Sequence, residues 1–245
     1  MKNVLASIGI GNASVDTVLP SETVRPGETV DADVNITGGN VEQEVGTIRF
    51  EVETRYRTDD GYREVDVDRF TLADGLTIEP DQEETRQVSI DIPYGTPVTV
   101  GGIDVWIETE LDIDLAVDPE DKDYLDVQPT PRLQTVFDAM DELGFSFWTA
   151  ECEADPYGRY TAGGSFIQEF EFRVQSGPFR DALDEVELVA QPGPDQLDLF
   201  LEIDRRGGLL SEMADTDESK TRLSIQSTDV AQVRDDLKRE LERHS

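Results

Sequence analysis

The strongest indication of the fold is the run of residues 103–115, Ile-Asp-Val-Trp-Ile-Glu-Thr-Glu-Leu-Asp-Ile-Asp-Leu. Apolar side chains occupy every second position with one exception, at Ile103, Val105, Ile107, Leu111, Ile113 and Leu115. The positions between them are Asp104, Trp106, Glu108, Glu110, Asp112 and Asp114. Successive side chains of a strand point to opposite faces, so this pattern predicts one core face and one solvated face. Burial on one side only is typical of the antiparallel sheets that build sandwiches.

The same alternation recurs on both sides of this run. It is present at 30–36, 48–56, 88–92, 166–174, 186–190, 197–203 and 223–225. Turn-forming residues separate the N-terminal runs, at Pro26-Gly27, Gly38-Gly39, Asp59-Asp60-Gly61, Pro93 to Gly95 and Gly101-Gly102. The repetition predicts an all-β protein.

Two segments have helical rather than strand spacing. Residues 129–144 combine a Thr130-Pro131 start with apolar residues at helical intervals and a stop at Gly144, which predicts a helix of about three turns. Residues 229–243 carry a narrow apolar stripe in an otherwise charged segment. We therefore expect an N-terminal sandwich over 1–128, a connector helix over 129–144, and a C-terminal sandwich over 145–245 that ends in a helix.

Charge excludes several functions. The 245 residues contain 55 Asp and Glu against 21 Lys and Arg, of which only 4 are Lys, so the formal net charge is −34. Such a surface repels nucleic acid phosphates and anionic membranes. The single cysteine excludes a disulfide-stapled module. The sequence predicts no membrane span and no signal peptide, and an Asp-rich, Lys-poor surface suits a cytoplasm filled with molar salt, where self-repulsion is screened.

The sequence also argues against an enzyme. The only histidine, His244, is next to last, so no Ser-His-Asp or Cys-His set is predicted. Cys152 lies between Glu151 and Glu153, which disfavours its thiolate, and we expect it to be a buried structural residue. Carboxylate pairs are too abundant in this chain to single out a glycosidase site. We assign no catalytic, cofactor-binding or metal-binding residue.

Three further motifs are better explained by structure than by chemistry. The acidic segment 118–123 misses the calcium-loop pattern and is expected to be a solvated turn. The glycines of 9–11 lack the third glycine of a dinucleotide fingerprint, since Ser14 stands in its place, and the pairs at 101, 163 and 207 are expected to be turns. The aromatic residues Phe145, Phe147 and Trp148 are expected in the core.

Taken in order, these features resemble one family. The matching segments are LASIGIG 5–11, VDT 15–17, RPGETV 25–30, TPVT 96–99, VWI 105–107, LDI 111–113, DP 118–119, DY 123–124, VQPTP 127–131, DA 138–139, ELGF 142–145, AECE 150–153, FIQEFEF 166–172 and SGPF 176–179. They span nearly the whole chain. The sequence is similar to the sporulation-control protein family of bacilli, and the acidic, Lys-poor composition resembles a haloarchaeal version of it.

The resemblance implies two arrestin-like β-sandwiches and a regulatory, non-enzymatic role without a cofactor. Arrestin-like proteins generally act as adaptors, so we expect one or more protein partners, bound at a sheet edge or between the domains. Haloarchaea are not spore formers. The resemblance therefore implies the fold and a regulatory role, and not a role in sporulation itself. Self-association is compatible with the sequence. The alternative that the sequence leaves open is a sandwich that binds a small ligand or a cation.

Overall fold

The structure is a computed structural model that describes residues 12–72, 75–113, 118–160, 165–206 and 218–244. Within these ranges it has fourteen strands, two α-helices and one 3-10 turn at Val100–Gly102. The strands are β1 Ser14–Val18, β2 Thr23–Val24, β3 Thr29–Thr37, β4 Gln43–Thr58, β5 Gly61–Leu72, β6 Leu76–Ile78, β7 Glu83–Asp91, β8 Val105–Ile113, β9 Glu120–Val127, β10 Phe145–Ala154, β11 Phe166–Val174, β12 Leu183–Pro192, β13 Leu197–Arg205 and β14 Glu218–Ile225. The helices are α1 Pro131–Glu142 and α2 Val230–His244. The predicted all-β class is therefore confirmed.

Contacts divide the chain into two compact units that interleave in sequence. The first takes in the described parts of 1–54, 64–96 and 104–127, and the second those of 55–63, 97–103 and 128–245. Nothing in the hydropathy pattern marks 55–63 or 97–103 as belonging with the C-terminal half. The predicted domain bounds of 1–128, 129–144 and 145–245 stay a prediction.

The first unit contains two sheets. Strands β1, β3 and β7 form an antiparallel sheet with β3 in the middle, while β4, β8, β9 and β2 follow one another in the other sheet. Most of the alternating apolar positions of both sheets are buried, for example Val34 and Ile90 in one and Phe50 and Leu111 in the other, while Val30 and Val88 are partly exposed. This burial is the physical reason that the period-2 pattern fixes which face of each strand turns inward.

The second unit is built around a meander. Strands β10 to β14 pair in sequence order, each antiparallel to the next. Helix α1 packs on β10 and on α2, and the ring of Phe137 in α1 contacts Phe170 and Phe172 of β11. The apolar stripe of α2 is buried at Val233, Leu237 and Leu241. The charged C-terminal segment is thus a packed helix.

Helix α1 has the boundaries that its sequence favours. The Thr130 hydroxyl accepts a hydrogen bond from the Leu133 amide at 3.4 Å, and Pro131 occupies the first turn. Gly144 follows the helix with φ +91°, a conformation that glycine adopts without strain. In the described part of the chain, no helix is both long and apolar enough to cross a membrane.

Candidate functional site

In the first unit, the side chains of three glutamates lie close together: Glu51, Glu53 and Glu108. We call them the glutamate cluster. One carboxylate oxygen from each lies within 4.8 Å of the others. Glu51 and Glu53 share a face because they are two residues apart on β4, and Glu108 of β8 stands directly opposite Glu51. Like charges directly opposite one another are destabilising, so the cluster needs compensating contacts.

Trp106 provides one of these contacts, and it is buried although the sequence predicted that it would be exposed to solvent. Its indole Nε1 donates a hydrogen bond to Glu53 Oε2 at 2.6 Å, and the ring is only 3% exposed. Alternation placed Trp106 on the solvated face. The residue is buried because its cross-strand neighbours close over the indole: Lys122 Nζ lies 4.1 Å from the ring centroid and the Tyr124 ring lies 6.0 Å away.

Cations neutralise two of the three carboxylates. Arg69 Nε lies 2.6 Å from Glu51, and Lys122 Nζ lies 3.5 Å from Glu108. Glu53 is 8% exposed, and no cationic side chain among the described residues forms an ion pair with it. Burial raises the pKa of Glu53 to about 7, and the neighbouring Glu108 and Glu51 carboxylates act in the same direction against the Trp106 hydrogen bond. The cluster is therefore suited to holding a proton near neutral pH.

The second unit carries a comparable array, which we call the acidic ladder: Glu171, Glu187 and Glu202. These residues face one another directly across β11, β12 and β13, and Lys220 of β14 closes the row with an ion pair to Glu202 at 2.7 Å. Burial, followed by the carboxylates around it, raises the pKa of Glu187 to about 7. The sequence placed these acids on outward faces, but only strand register shows that they are neighbours.

The two residues weighed as catalytic candidates lie on β10 and at the end of α2. Cys152 is buried on β10, as predicted, beside a cavity of about 210 Å³ that Arg55, Tyr62 and Gly101 also line. His244 ends α2 with its Nε2 3.4 Å from Glu240. His244 is thus paired with a carboxylate at the end of α2, and Cys152 is a buried residue of β10.

The acidic segment 118–123 is not the solvated turn that its composition predicted. Glu120–Asp123 belong to β9, and Asp121 accepts a hydrogen bond from the Thr17 amide at 2.6 Å. Asp118 accepts another from the Ile113 amide at 2.9 Å. The segment forms a strand because β8 offers a full antiparallel partner from Val105 to Glu110. Burial raises the pKa of Asp123 to about 6.

One of the glycine motifs lies within the described residues. Gly101 and Gly102 lie in the 3-10 turn with φ of +72° and +86°, as expected of turn residues. The pairs that begin at 163 and 207, and the glycines of 9–11, lie outside the described residues.

The prediction of a core position for the aromatic residues after α1 is correct only for Phe145. Phe147 is 40% exposed and Trp148 is 57% exposed. The register of β10 against β11 shifts between Phe147 and Thr149, so Trp148 is left without a cross-strand partner. Its ring is covered instead by the Arg173 guanidinium, 4.0 Å from the centroid. A bulge of this kind cannot be predicted from the hydropathy pattern of the sequence.

Comparison with known proteins gives the family. A family model described as "SpoOM protein" matches residues 1–207. The chain belongs to the Spo0M family. A Spo0M relative, the sporulation-control protein spo0M of Bacillus subtilis (strain 168), is 35% identical over 237 residues, which cover 94% of this chain and 91% of the relative. The crystal structure of Spo0M, sporulation control protein, from Bacillus subtilis matches with a TM-score of 0.84 at 32% identity, covering 96% of this chain and 100% of the other.

The Spo0M match confirms the resemblance seen in the sequence segments and the arrestin-like fold that it implied. It also supports a regulatory role of the kind that the family name describes.

Proposed function

We propose that this Spo0M-family chain is a non-enzymatic adaptor that regulates through protein–protein contacts in a cytoplasm filled with molar salt. The observation that carries the proposal is the similarity to sporulation-control proteins along nearly the whole chain, in sequence and in fold. A regulator without a reaction of its own acts by binding, and sheet edges are surfaces on which partners dock.

The described chemistry supports a binding role. Cys152 is buried in β10, and His244 lies beside Glu240 at the end of α2. In the glutamate cluster, two of the three carboxylates pair with Arg69 and Lys122. Groups held in these ways serve stability better than catalysis, which needs a base and a nucleophile within hydrogen-bond reach of each other.

The test is capture of a partner at molar salt. The tagged full-length chain is incubated with native lysate and cross-linked, and an unrelated protein of similar net negative charge serves as the control bait. We expect the same protein in every replicate with the chain and not with the control, followed by saturable binding of the purified pair in calorimetry. Repeated captures without a common protein, or equal capture by the control, would count against an adaptor.

The second candidate is a small-ligand or cation-binding protein, and the glutamate cluster is the observation that favours it. Oxygen ligands at this spacing suit a hard cation. Arg69 and Lys122 compete with such an ion for Glu51 and Glu108. Ca²⁺, Mg²⁺ and Mn²⁺ are titrated in thermal melts, because a ligand that prefers the native state raises the midpoint. A saturable rise that Glu108→Gln abolishes would favour this candidate over the adaptor.

A further inference from the structure

The three-stranded sheet of the first unit has an incomplete edge on its central strand. Strand β7 pairs with β3 along the whole of Thr29–Thr37. Strand β1 pairs with β3 only from Asp33 to Thr37, where Val18 is its last paired residue. In the part of the chain that the structure describes, Thr29–Ala32 therefore has a strand on one side only.

The backbone of this segment presents hydrogen-bonding groups at the open side. The Ile92 amide donates to the Glu28 carbonyl at 2.8 Å, and the Gly38 amide donates to the Gln82 carbonyl at 2.7 Å. Both bonds are made by even-numbered residues, at positions 28 and 38. Along an antiparallel strand, the backbone groups of successive residues point alternately to one neighbouring strand and to the other, so the backbone groups of the even-numbered residues of β3 point towards β7. The amides and carbonyls of Thr29 and Asp31 consequently face away from β7, where β1 no longer runs. These groups are available to an added strand.

A concavity of about 530 Å³ lies next to this open edge. Its lining residues are Val18, Pro20, Asp31, Ala32, Asp33, Gln87, Val88 and Ser89. Val18 is 47% exposed and, with Pro20, supplies an apolar wall. The cavity thus combines an apolar side with a row of polar side chains on the outward face of the sheet.

The acidic residues of the concavity have neutral partners. Asp31 accepts a hydrogen bond from the Ser89 hydroxyl at 2.7 Å, and Asp33 accepts one from the Gln87 amide at 3.2 Å. Among the described residues, no Lys or Arg side chain forms an ion pair with either carboxylate. Two carboxylates that have no cationic partner among the described residues therefore lie beside the open edge. A positively charged occupant would form ion pairs with them.

We propose that the open edge of β3 accepts an extended partner segment in which Lys or Arg alternates with apolar residues. This inference rests on the proposed adaptor function and names the surface on which it would act. The segment hydrogen-bonds to Thr29 and Asp31, aims its basic side chains at Asp31 and Asp33, and packs against Val18. Alternation is required because every second side chain of an added strand lies on the same face. A second copy of this chain would bring further negative charge.

The test uses two labelled eight-residue peptides at molar salt. In one, Arg alternates with Val, and in the matched peptide Glu replaces each Arg. Fluorescence anisotropy should show at least tenfold tighter binding of the Arg peptide, and hydrogen exchange should slow at the amides of Thr29 and Asp31. The double variant Asp31→Asn/Asp33→Asn should weaken the Arg peptide at least tenfold. The exposed Asp195→Asn of the second unit is the matched control and should change binding less than twofold.

Each contrary result overturns the inference in a recognisable way. Equal binding of the two peptides, or binding that leaves hydrogen exchange at the Thr29 and Asp31 amides unchanged, would remove the proposed edge. Protection that rises with protein concentration in the absence of peptide would assign the edge to a second copy, and protection by Mg²⁺ alone would assign it to a cation. If the double Asp variant still captures the partner found by cross-linking, the adaptor function stands and this edge is not its binding surface.

Discussion

Replacing Glu53 with Gln tests the physical account of the glutamate cluster. The substitution keeps the size of the side chain. It also keeps an oxygen that can accept the hydrogen bond from Trp106 Nε1, which is 2.6 Å long in the structure with Glu53. It removes the one carboxyl of the cluster that has no cationic partner among the described residues. We expect Glu53→Gln to stabilise the protein at alkaline pH and to have little effect at acidic pH.

The magnitude follows from the pKa of Glu53. The folded value of about 7 lies above the ordinary value of 4.5, so the folded state favours the protonated carboxyl. This contribution to stability is fully present below about pH 4.5 and is lost as the pH rises through about 7. At about 1.36 kcal/mol per pKa unit the limit is about 3.4 kcal/mol. Coupling to Glu108 and the charges of Arg69 and Lys122 reduce the expected gain at pH 8.5 to about 1–2 kcal/mol.

The two tryptophans make the measurement specific. Trp148 is removed by Trp148→Phe, so that the remaining emission comes from Trp106 beside Glu53. A pH titration of this emission at molar salt should have a midpoint near 7, and Glu53→Gln should abolish it. Urea unfolding at pH 5 and pH 8.5 then gives the two free energies of unfolding.

The exposed Glu64→Gln is the matched control, since it removes one carboxylate from the same unit without touching the cluster. We expect its effects at the two pH values to be equal and small. A Glu53→Gln variant that loses stability at pH 8.5, or a Trp106 emission that does not titrate between pH 5 and 9, would show that Glu53 does not hold a proton in the cluster.

Three further outcomes are expected from other parts of the molecule. Phe50→Ala should cost about 3–5 kcal/mol in urea unfolding, since the ring is fully buried, and a loss below about 1 kcal/mol would contradict its place in the core. Gly144→Ala should lower the thermal midpoint, because φ is +91° and the new Cβ would clash with the Ser176 carbonyl oxygen; an unchanged midpoint would contradict this close packing. Circular dichroism should show loss of the β signal below about 0.1 M salt, where a charge of −34 is poorly screened, and full folding in dilute buffer would argue against adaptation to salt.

The sequence predicts the elements well because each follows from local chemistry. Helix α1 begins and ends where Thr130 and Gly144 direct it, and the inward faces of β4 and β8 are those that alternation selects. The glutamate cluster could not be predicted from local sequence patterns, because Glu51 and Glu108 are 57 positions apart and become neighbours only through the register of β4 against β8. Among 55 acidic residues, spacing alone could not single them out.

The all-β class, the two helices, the net negative charge and the family to which the chain belongs can all be derived from the sequence alone. These properties depend on composition and on periods of two or 3.6 residues, which are visible along the chain. Tertiary structure decided the burial of Trp106, the exposure of Trp148, and the extent to which β1 covers β3. These features depend on register, on a bulge and on where one strand ends beside another, and no local pattern records which distant residues become neighbours.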